Sequence, residues 1–485
     1  MINKYIKIIA FILFLILGKL SGFLKDISLS YYFGTSATVD AYFVTTYIIG
    51  LFYVGIQSAI PLLILPNAVE KNVTFREQEL AKSTAAILIV SLSLTTLLIL
   101  VADVLSGFFL DGGSPETVNT AAYYIRLSSL TLPFLSVALL ATTLRLAWGE
   151  KLPAISLVLA ANLVFVSAIH LWHTKETFYF VLYAGIFTWI LMSIIYGNVL
   201  LFLVKYLRFM IRSISMSRFK KLFGLSKVFY VEQLIPVVGV YFASQTGEGG
   251  VSLFAYSSKI YMLYITLAIV FINSYLVPLI AEKYTAKHDF GEQLDSIILT
   301  ACLIVFPLAV FLVLNSEFII SLVFERGELS KDQISIMSNV FLILIISMPC
   351  VIVRDIVAKV ILIYHVKISL FFIYLIGVIL YILICSIGSE KISLTIVSIG
   401  YCMTMLSIAL ILMCHRHLRY KILTSLKVFV SCYVGLIAFS LITNKGGDAI
   451  FFVGFDRLLM STVTLVLVWA ILAFGFWHLV KEKDY

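Results

Sequence analysis

The sequence predicts an all-α polytopic membrane protein, and three observations carry that prediction. Of its 485 residues 61% are hydrophobic and only 13% charged, with a mean hydropathy of +1.07, whereas about a quarter of residues are charged in soluble domains. Apolar stretches of about 20 residues, the length that crosses a bilayer as a helix, recur along the chain. The connections between them are short, which leaves no segment for a soluble domain.

Apolar length and punctuation place about 14 transmembrane helices, at 5–33, 38–66, 80–110, 117–146, 152–171, 178–204, 228–246, 250–281, 292–314, 333–363, 368–388, 392–414, 421–443 and 455–480. Lys4 and Lys7 precede the apolar run from Ile8 to Leu17. No small-residue cleavage site follows, so this reads as a retained first span rather than a secretory signal. Pro61, Pro133, Pro236, Pro307 and Pro349 fall inside apolar runs. A proline there bends a helix for packing or frees carbonyls toward a cavity.

The halves resemble each other. Pro66, Glu70 and Lys71 close the second span as Pro278, Glu282 and Lys283 close the eighth, and Ala41-Tyr42 is echoed by Ala255-Tyr256. Ser114, Pro133, Trp148 and Lys151 are matched by Ser330, Pro349, Tyr364 and Lys367 at a constant offset. Two six-helix repeats followed by an extra helix pair are therefore expected. An even number of spans starts both repeats on the same side, giving parallel lobes that form a V. The expected division is a first lobe at 1–204, a basic linker at 205–227, a second lobe at 228–414 and the added pair at 415–485.

The net charge of +9 reads as membrane topology rather than a nucleic-acid partner. With both termini cytoplasmic, the connections on that side hold roughly 20 Lys/Arg against about 6 on the other. The longest basic run, Lys205 to Lys227, contains no acid and would lie along anionic headgroups. The six cysteines form no metal-ligand pattern, and His415 and His417 sit beside Arg416 and Arg419 in a cationic loop. No metal or cofactor is expected, with a coupling ion left open. No enzymatic motif occurs, and the short outer loops leave little room for an active site, so the chain is expected not to be an enzyme.

The informative residues are the ionisable ones inside spans. Lys19, Lys25, Asp26 and Asp40 fall in or beside the first two helices, and Lys259, Arg354, Asp355 and Lys359 in the second half. Each uncompensated charge at membrane depth costs about 2.5–3.5 kcal/mol on insertion scales, so such charges usually face a cavity. The plain alternative is interfacial lysines that snorkel, with Gly18 and Gly22 serving helix packing. Lys19, Lys25 and Lys259 suit a phosphate or pyrophosphate. Asp26 and Asp40 are candidate coupling acids, Asp40 alternatively a helix N-cap. Asp355 and Lys359 stand four apart and could neutralise each other.

Lys19-x-x-Gly22-Phe23-x-Lys25-Asp26, then Tyr32-Phe33-Gly34 and Asp40-Ala41-Tyr42-Phe43, resembles the opening motif of the MurJ/MviN lipid II flippases of the multidrug/oligosaccharidyl-lipid/polysaccharide exporter superfamily. Pro66 with Glu70, Leu152-Pro153-Ala154 with Asn162, Tyr256-x-x-Lys259, and Phe324-x-Arg326-Gly327 with Pro349 and Lys359 agree with it. The resemblance implies alternating access, a cationic cavity for an undecaprenyl-pyrophosphate-linked saccharide and a lipid-tail groove near the last two helices. It places the family's cavity arginines at Lys19, Lys25 and Lys259 and its helix-one and helix-two acids at Asp26 and Asp40. Two departures stand out: the three arginines are lysines, and a further basic residue and acid are replaced at Tyr53 and near Ser58. The expected function is translocation of lipid II, or of an O-antigen or exopolysaccharide repeat unit, across the bacterial inner membrane. A cation-coupled multidrug exporter and a membrane-embedded polysaccharide polymerase or ligase are the alternatives.

Overall fold

The computed structural model describes residues 2–68, 73–111, 113–150, 152–198, 200–201, 216–285, 290–363, 368–387, 392–415 and 422–445. The last expected span, residues 205–215 of the linker, and Arg416, His417 and Arg419 lie outside the described residues. So does most of the added helix pair with its expected lipid-tail groove. Every element among the described residues is helical. In chain order they are α1 (Ile2–Phe33), α2 (Ala37–Ala68), α3 (Val73–Phe109), α4 (Pro115–Ser129), α5 (Thr131–Ala147), α6 (Leu152–Leu171), α7 (Phe178–Gly197) and α8 (Met216–Ser244). They continue with α9 (Gly250–Thr285), α10 (Phe290–Leu314), α11 (Ser316–Phe324), α12 (Lys331–Ile363), α13 (Leu370–Ile387), α14 (Leu394–Met413) and α15 (Leu423–Lys445). Ten helices among the described residues are long and apolar enough to cross a membrane.

Three departures from the expected spans have local causes. The fourth span is two helices, α4 and α5, which meet at Leu130. Pro133 cannot donate to the carbonyl of Ser129, and the Thr95 hydroxyl donates to that carbonyl instead, at 3.2 Å. The linker expected at 205–227 is helical from Met216. Lys and Arg are good helix formers, so the helix extends beyond its apolar window. The connection after α10 contains the short helix α11, too brief for a span count to register.

Helix starts follow capping chemistry. Ser114 accepts from the Thr117 amide at 3.2 Å with Pro115 opening α4. Ser330 and Gln333 bond reciprocally at 2.9 and 3.3 Å, a capping box that starts α12.

The chain forms two compact units, residues 1–256 with 326–329, and residues 257–325 with 330–485. In the first, α2 is central, packing on α3, α4, α5 and α8, while α1 packs on α6 and α5 on α7. Fully buried Phe178 receives the rings of Phe33, Tyr124 and Tyr42 at 5.0, 5.6 and 5.7 Å. In the second, α12 packs on α10, α11 and α14, with α13 on α14 and α15 on α10. Its core holds Tyr261, Phe341, Tyr381 and Phe429, and the polar tips are satisfied: Tyr261 Oη lies 2.6 Å from Ser347 Oγ, and Tyr381 donates to the Val397 carbonyl at 3.0 Å. The boundaries at 204 and 228 express sequence symmetry. Packing groups α8 and the first turns of α9 with the first unit, because α8 lies along α2.

Candidate substrate site on the first two helices

In the first unit the candidate residues lie where α1, α2 and α6 pack. Asn162 on α6 donates to Ser21 Oγ at 3.2 Å and to the Gly18 carbonyl at 3.4 Å. A Cβ on Gly22 would lie 3.3 Å from the Asn162 amide nitrogen. Gly22, not Gly18, therefore permits the close α1–α6 approach. One turn farther along both helices, the Lys25 ammonium lies 5.3 Å from the Phe165 ring centroid and 5.9 Å from that of Tyr42. Both are cation–π distances. The ammonium also interacts with the Tyr42 hydroxyl and with the Asp26 carboxylate beside it.

Asp26 follows on the buried side of α1. It is 4% exposed, and its Oδ1 has no hydrogen-bond partner. A buried carboxylate oxygen without a donor is costly. Lys19 is exposed.

Asp40, 3% exposed, has both oxygens engaged. Oδ2 accepts from the Gly249 amide at 2.6 Å and Oδ1 from the Ser252 amide at 2.8 Å. It caps α9, a helix other than its own, and its charge meets the positive end of that helix dipole. The same end of the unit is fixed by Tyr256, which donates to the Gly34 carbonyl at 3.0 Å. Gly34 and Gly327 take positive φ of 56° and 119°, and a Cβ on Gly327 would come within 2.6 Å of the Tyr31 backbone.

Lys259, Arg354, Asp355 and Lys359 belong to the second unit. Lys259 is half-buried on α9. Arg354 is 8% exposed, with its guanidinium 5.6 Å from the Tyr374 ring centroid and Nη1 3.7 Å from Met405 Sδ. Asp355 and Lys359 form the ion pair that their spacing allows. Tyr53 and Ser58 bring no charge to α2. Tyr53 is buried, and the Ser58 hydroxyl returns to the Gly55 carbonyl at 3.2 Å.

Two contributors were not singled out from the sequence. Phe165 could have been found as the residue one turn after Asn162 on the same face of α6. Asp295 caps α15 through the Ser425 amide at 2.8 Å, as Asp40 caps α9. Nothing in its local sequence signals a partner 130 residues away. Among the described residues no cluster of His, Cys, Asp or Glu could hold a metal ion.

Ten helices long and apolar enough to cross a membrane, with no strand among the described residues, define a multi-pass membrane protein. The family model for the lipid II flippase MurJ matches residues 29–472, and the chain belongs to that family. Curated relatives include the probable lipid II flippase MurJ of Aquifex aeolicus, 28% identical over 70% of this chain and 68% of that protein. The counterpart from Thermotoga maritima is 27% identical over 68% and 67%. Among solved structures, lipid II flippase MurJ in an inward closed conformation superposes with a TM-score of 0.80 at 18% identity, covering 97% of this chain and 99% of that one. An inward-facing multidrug resistance MATE family transporter gives 0.64 at 15% identity, over 86% and 95%. The resemblance read from the opening motif holds, and the protein is a multi-pass inner-membrane protein of a transporter family.

Proposed function

We propose that this chain moves undecaprenyl-pyrophosphate-linked saccharide, lipid II in the first instance, from the cytoplasmic to the outer leaflet by alternating access of two parallel lobes. The observation that carries this reading is the Lys25 ammonium seated on the Phe165 and Tyr42 rings where α1, α2 and α6 pack. Lys25 takes the pyrophosphate, and Lys19 and Lys259 supply further positive charge. A lysine keeps the charge that a pyrophosphate needs while giving up the bidentate geometry of arginine.

Asp26 is the coupling acid of this scheme, because its unpartnered oxygen is where a proton or cation gains most. Asp40 serves chiefly as the cap of α9. Both termini and the 205–227 segment face the cytoplasm, in keeping with the Lys/Arg bias. Family membership favours lipid-linked precursors over drugs, and no residue set here supports a polymerase or ligase. The chain works as a transporter without catalytic residues.

The test is complementation of a lipid II flippase-deficient strain, paired with flipping of a fluorescent lipid II analogue in proteoliposomes. Growth and flipping by the native chain, both lost in Lys25→Ala at normal membrane levels, are expected. Flipping of an O-antigen lipid but not of lipid II would redirect the substrate assignment.

A further inference from the structure

The first unit carries a concavity built from residues that the proposed pyrophosphate site does not use. It has a volume of about 750 Å³, within the range of about 300–1,000 Å³ typical of small-molecule sites. It gathers the N-terminal ends of α2, α4 and α7 with the turn before α9, so it lies at the end of the unit where Asp40 caps α9. On the orientation proposed above, this is the outer end.

Its walls combine three chemistries. The rings of Tyr123, Tyr124 and Tyr179 supply flat amphipathic surface. Tyr123 Oη lies 3.1 Å from Tyr183 Oη, Tyr179 meets Tyr183 edge-on at 6.1 Å, and Tyr124 packs on buried Phe178 at 5.6 Å. These contacts set the rings before any ligand arrives. Asn119 and Thr120 add amide and hydroxyl groups, which can both donate and accept. Glu116, Glu176 and Glu248 outnumber Lys175.

That balance excludes some ligands and favours others. An excess of carboxylates repels a phosphate or pyrophosphate. The glutamates do not gather into a metal-binding group. Tyrosine rings, amide and hydroxyl groups, and carboxylates that accept from O–H and N–H fit a neutral saccharide bearing hydroxyl and amide groups. We propose that this cavity binds the saccharide portion of the transported lipid on the outer side, apart from the pyrophosphate. This deepens the flippase reading and rests on it for the sidedness.

The probe is N,N′-diacetylchitobiose, which carries hydroxyls and N-acetyl amides but neither phosphate nor lipid, so its binding does not require transport. Ligand-observed NMR on the purified full-length chain should detect saturable binding. Tyr179→Ala and Asn119→Ala, both at exposed positions that should fold, should each weaken it about tenfold. Inorganic pyrophosphate should not compete. In proteoliposomes, externally added chitobiose should slow modification of Thr120→Cys, in a Cys414→Ser background, by an impermeant maleimide. No binding to the native chain, equal affinity in both variants, competition by pyrophosphate, or Ca²⁺ binding without saccharide binding would each overturn the proposal. Chitobiose binding that persists while lipid II flipping fails would leave the saccharide site standing and remove the transport reading alone.

Discussion

The carboxylate of Asp40 lies 2.6 Å from the backbone nitrogen of Gly249, 209 residues later in the chain. With the Ser252 amide on its other oxygen, it terminates a helix that the local sequence leaves uncapped. Asp40→Asn retains one accepting oxygen and Asp40→Ala retains none. Losing such a cap costs about 0.5–2 kcal/mol, so thermal unfolding of the purified protein should fall in the order native, Asn, Ala. The ion dependence of flipping should be unchanged in Asp40→Asn. An abolished ion response with unaltered melting would assign Asp40 to coupling instead.

Gly327 sits at φ 119° with the Tyr31 backbone where a Cβ would fall, whereas Gly18 has open space around its Cβ position. Gly327→Ala should lose stability by at least about 1–3 kcal/mol. Gly18→Ala should be neutral or slightly stabilising, as alanine is the better helix former. Melting curves of the two variants side by side check this, and equal stabilities would contradict the Tyr31 contact.

Most of the helices were legible because a span of apolar residues is a length signal. The spans at 152–171 and 292–314, for example, reappear as α6 and α10 within two residues. What stayed hidden depends on contacts distant in sequence. The break at Leu130 rests on Pro133 together with a Thr95 hydroxyl from α3, and no window over α4 and α5 contains Thr95. Lys25 and Asp26 stood out by the expense of charge in a membrane, but Phe165, which seats Lys25, looks like any apolar residue until α6 is placed beside α1. Asp295 went unnoticed because its partner is a backbone amide, and amides carry no sequence signature.

Asp355 and Lys359 pair on α12 with both side chains partly shielded. Removing one partner breaks the pair, whereas replacing both with apolar residues removes the desolvation penalty as well. Asp355→Leu and Lys359→Leu should each lower thermal stability and membrane yield, and the double variant should recover part of the loss. A double variant at least as impaired in flipping as the singles, despite recovered stability, would give the pair a role in transport.

Topology is checked by cysteine accessibility in intact cells. Cys414 is exposed, so the background should carry Cys414→Ser. Ser114→Cys should react with an impermeant maleimide from outside, and Ser213→Cys only after permeabilisation. The reverse pattern would invert the membrane orientation and with it the direction of transport.

The strongest demand falls on Lys25. Its ammonium lies against the Phe165 and Tyr42 rings with the Asp26 carboxylate nearby, and its positive charge is what a pyrophosphate would meet. A hydrogen bond to a charged group contributes about 1.5–3 kcal/mol, which corresponds to a rate loss of roughly 10–150-fold if it is made in the translocating state. Lys25→Ala should therefore abolish complementation and reduce flipping at least tenfold, within that range. Lys25→Arg should keep most activity, because guanidinium stacks on aromatic faces and binds phosphate oxygens in pairs. A packing role predicts the opposite order: alanine would vacate space harmlessly and the larger arginine would press on Tyr42 and Phe165. Flipping rates normalised to membrane protein separate the two, and full activity in Lys25→Ala would remove the cation from the mechanism.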